Sequence, residues 1–67
     1  MPTNMESFAQ RAYLLSSLVR LGIHVSSHVY RFCDEVIETG WIAPHDNRDC
    51  DQQVLEMYSH YNSGVRV

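Results

Sequence analysis

Four histidines and two cysteines are the residues of this chain best suited to chemistry. His24 and His28 stand four apart, a spacing at which one helix face offers two imidazoles to a metal ion, and Cys33, His45, Cys50 and His60 could add ligands. No CxxC pair and no paired Cys/His cluster accompanies them, so the ligand spacing of a zinc site is missing and no metal or cofactor is expected. A thiol nucleophile needs a base beside it and a group that orients the base. Cys50, His45 and Asp49 are neighbours in sequence, but no Gly-rich elbow or oxyanion loop surrounds them. Cys50 therefore reads as a solvent-side thiol at a helix start, and Cys33 as a small apolar core residue. The carboxylate pairs Asp34–Glu35 and Asp49–Asp51 read as solvated faces and caps, and there is no phosphate-binding loop. With no catalytic set, the chain is not expected to be an enzyme.

Recognition of nucleic acid is the next chemistry to weigh. Five Lys+Arg stand against eight Asp+Glu, for a formal charge of −3. The positive charges are Arg11, Arg20, Arg31, Arg48 and Arg66, scattered singly, whereas affinity for phosphate grows with cations gathered on one surface. Leu18 to Ile42, LVRLGIHVSSHVYRFCDEVIETGWI, loosely resembles a helix-turn-helix of the winged type. The resemblance makes Leu21-Gly22 the turn, Ser26, Ser27, Tyr30 and Arg31 the DNA-contacting positions, and Gly40-Trp41-Ile42 the exit. It departs from the pattern in two places. Ile23-His24-Val25 makes the turn one residue too long, and the would-be recognition helix sets Asp34, Glu35 and Glu38 against a single arginine. No basic wing follows, so the family is not assigned, and nucleic acid is not the expected partner.

The clearest of the helices that carry these residues is Val25–Gly40. Ser26 or Ser27 serves as N-cap, Val29, Phe32, Cys33, Val36 and Ile37 recur at helical spacing, and Gly40 supplies a left-handed stop with Trp41 packing back behind it. Before it, Asn4 is a cap candidate. Met5, Phe8, Ala12, Leu15 and Val19 then follow at spacings of 3, 4, 3 and 4, the rhythm of a helix seam. Leu14, Leu18 and Leu21 form a second stripe beside it, while Gln10, Arg11, Ser17 and Arg20 make the polar side. Gly22 is the natural break between these helices. The competing layout is one helix from Asn4 to Thr39 with Gly22 inside it. Pro44 and Asp46-Asn47 mark a loop, with Asn47, or alternatively Asp46, capping a short third helix whose face is Val54, Met57, Tyr58 and Tyr61.

The expected fold is therefore all-α: a helical hairpin or three-helix arrangement, helices near 4–21, 26–39 and 48–62, in one domain over 1–67. A chain this short buries only roughly 60% of its unfolded surface. Its apolar faces are too wide for so small a partner helix, so completion by homodimerisation is expected. Phe8, Leu15, Val19, Tyr30, Trp41 and Tyr58 are the candidate interface residues, because large amphipathic and apolar side chains favour interfaces. The start MPTNMESFAQR has no basic region followed by an apolar run, so no leader is expected, the thiols should be reduced and the compartment is expected to be the cytoplasm. No apolar run is long enough to cross a bilayer. The expected function is a non-enzymatic, self-associating interaction or regulatory module that binds a partner protein. In format, short, acidic and helical, it resembles the small accessory proteins of phages and mobile elements. The alternative is a small helix-turn-helix-like DNA-binding regulator.

Overall fold

The computed structural model describes residues 5–64 and consists, over that range, of three helices: α1 (Met5–Arg20), α2 (Ser27–Glu38) and α3 (Asn47–Asn62). The expected cap Asn4 and the side chain of Met5 lie outside the described residues.

Each helix ends where local chemistry stops it. At the end of α1, Ile23 N–H donates to Leu18 C=O (2.9 Å) and Gly22 N–H to Val19 C=O (3.0 Å), the paired bonds of a Schellman cap. That geometry requires a left-handed residue, and Gly22 sits at φ 82°. The continuous-helix layout is thereby excluded, and Ile23 packs against the core as the cap's apolar residue. Ser26 is the N-cap of α2, its Oγ accepting from Val29 N–H at 3.4 Å. Gly40, at φ 83°, closes the same helix. The cap of α3 is Asp46 rather than Asn47. Its Oδ1 accepts from Arg48 N–H (2.8 Å) and Asp49 N–H (3.4 Å), and a carboxylate is the stronger acceptor at the positive end of a helix. Asn47 becomes the first helical residue.

The core is built from Leu14 and Leu18 of α1, Val29, Phe32, Cys33 and Val36 of α2, and Cys50 and Val54 of α3. Helix α1 packs on both α2 and α3, and α2 meets α3 directly where Phe32 lies against Tyr58 and Tyr61. The third helix is not short: at 16 residues it equals α1, and α2 is the shortest at 12. Two further expectations are corrected here. Ser17 is fully buried and not on the polar side, because it falls among Leu14, Leu18 and Leu21 on the inward surface of α1. Cys50 is only 3% exposed, because the inward face of α3 runs from Cys50 to Val54. No helix among the described residues is long and apolar enough to cross a membrane.

Candidate interaction surface

The two apolar stripes of α1 part company in the fold. At 3.6 residues per turn, Phe8, Ala12, Leu15 and Val19 lie roughly 120–140° around the helix from Leu14, Leu18 and Leu21. Leu14 and Leu18 are fully buried, whereas Phe8 keeps 75% of its surface exposed and Val19 keeps 62%. Ala12 between them is exposed too, and Leu15 lies on the boundary, partly buried against the core. The result is an apolar ridge on the outside of α1.

What turns the other side inward is a set of polar contacts between α1 and the Trp41–Asp51 region. Arg20 grips Asp51 with two bonds, Nε to Oδ2 at 3.0 Å and Nη2 to Oδ1 at 2.7 Å. The same Nη2 donates to Ser17 Oγ (3.2 Å), and Ser17 Oγ in turn lies 3.2 Å from Cys50 Sγ. The Arg20 guanidinium, through its hydrogen bonds above all, holds the Asp51 carboxyl below the usual carboxylate range, with Ser17 adding to the effect. Farther along, Gln10 Oε1 accepts from Ala43 N–H at 3.0 Å. These contacts key the face that carries Leu14 and Leu18 to α3 and leave the Phe8 ridge outside.

Helix α2 is tied at two points. Arg11 of α1 pairs with Asp34 at 2.7 Å. Near the start of α2, His28 Nε2 meets Asn62 Oδ1 at 2.6 Å and stacks at a tilt on Tyr61, ring centres 4.9 Å apart. Phe32 lies edge-on to Tyr58 at 5.0 Å. From the Arg11–Asp34 pair, one turn onward along α1 and one turn back along α2 bring Leu15 and Tyr30 to the same level of the hairpin. Tyr30 is 46% exposed.

The six candidate interface residues therefore separate. Phe8 and Val19 stand open on the ridge, with Leu15 at its border, and Tyr30 is exposed on α2. Trp41 and Tyr58 instead pack against the core, Trp41 with its Nε1 donating to Gln53 Oε1 at 3.0 Å. The four DNA-contact candidates, Ser26, Ser27, Tyr30 and Arg31, are all exposed at the start of α2, although Ser26 Oγ is occupied as the cap.

The chemistry-bearing residues do not assemble. His24 lies in the loop and His28 in α2, so they share no helix face. Among the described residues, no group of three or more His, Cys, Asp or Glu is placed to hold a metal ion. Cys50 turns inward to Ser17 while His45 and Asp49 face solvent, and no hydrogen bond joins the three among the described residues. Cys33 is also free, and burial pushes its thiol up to about 11, so it stays protonated near neutrality. The Ser17–Cys50 and Arg20–Asp51 contacts escaped the sequence reading. Only the place of Ser17 among three leucines at helical spacing hinted at the first.

The chain matches no protein-family model, no curated protein and no solved structure.

Proposed function

We propose that this chain is a non-enzymatic interaction module that self-associates through the outer ridge of α1 and acts by occupying the surface of a partner protein. One observation carries the reading: a helix that already packs on both of the others presents a second apolar stripe, with Phe8 75% and Val19 62% exposed. Single exposed apolar residues are ordinary, but a row of them at seam spacing on one helix is the form an association surface takes. The module has the format of a small accessory protein of a phage or mobile element, and homodimerisation is its first step. Sedimentation across a wide concentration range tests it. The weight-average mass should rise from 7.8 kDa toward twice that value, and Phe8→Ser with Val19→Ser should hold it at the lower figure. A wild-type chain that stays at the monomer mass up to millimolar concentration would defeat the proposal.

The second reading is a small DNA-binding regulator. It is supported by the joint exposure of Ser26, Ser27, Tyr30 and Arg31 at the start of α2. Against it stand the exposed Asp34, Glu35 and Glu38 on the same helix. Mobility shift at low and moderate salt separates the two, since phosphate binding must weaken steeply as salt rises.

A further inference from the structure

We draw no further inference here: the strongest candidate, the exposed Phe8–Val19 stripe on the outer face of α1, is an unpartnered apolar face that already belongs to the proposed function, and nothing in the structure shows what covers it.

Discussion

The two sides of α1 are made of similar residues and have opposite fates. Leu14 and Leu18 disappear completely into the core, whereas Phe8 and Val19, on the same helix and at the same periodicity, stay in water. Hydrophobicity does not separate them, since the exposed side carries the larger side chain. The polar residues nearby do. Ser17, Arg20 and Gln10 find partners in Cys50, Asp51 and Ala43, separated from them by 31 to 33 positions in sequence. Hydrogen bonds are directional and apolar contacts are not, so a few polar contacts orient a helix that could otherwise bury either face.

Substitutions on the two sides should therefore differ by an order of magnitude in their effect on the isolated fold. Leu18→Ala removes a fully buried side chain and should cost about 2–5 kcal/mol in chemical denaturation, and Phe32→Ala about 3–5 kcal/mol. Either approaches the whole stability of a domain this small. Gly22→Ala comes next. It forces a side chain into the left-handed region at φ 82°, and the denaturation midpoint should fall by an amount equivalent to about 1–2 kcal/mol. A gain in stability instead would mean that the helices are not broken there. Ser17→Ala leaves the Cys50 thiol without its buried partner and should cost on the order of 1 kcal/mol.

Smaller still, and visible only through pH, is the contribution of Arg20–Asp51. Asp51 has a depressed pKa in the fold, so its stabilisation is complete above its unfolded value near 3.9 and is lost as pH falls through the lower folded value. Asp51→Asn should flatten the acid limb of the stability curve and leave its shape at neutral pH unchanged. The smallest effect belongs to the outer side: Phe8→Ser and Val19→Ser should move monomer stability by less than about 0.5 kcal/mol. A loss comparable to that of Leu18→Ala would erase the contrast between the faces, whereas near-neutrality together with lost self-association would sharpen it.

Much of this was legible in the sequence. The periodicities place all three helices to within about a residue, because caps and left-handed glycines are local chemistry. Val54, Met57, Tyr58 and Tyr61 form the inward face of α3 that their spacing suggests, together with Cys50. What could not be read was the rotation of α1. Both of its stripes have helical spacing, and the choice between them depends on contacts with residues more than 30 positions away. For the same reason Trp41 and Tyr58 look like interface residues in the sequence and are engaged with the core in the fold. The pairing of His28 with Asn62 and the two tyrosines is equally non-local.

The chain has one tryptophan, and its indole is tied to Gln53 at the junction of the α2–α3 loop with α3. That location makes it an intrinsic optical probe. Peeling α3 away would break that bond and expose the half-buried indole further, which reddens its emission. A label-free fluorescence titration can thus follow unfolding of the third helix.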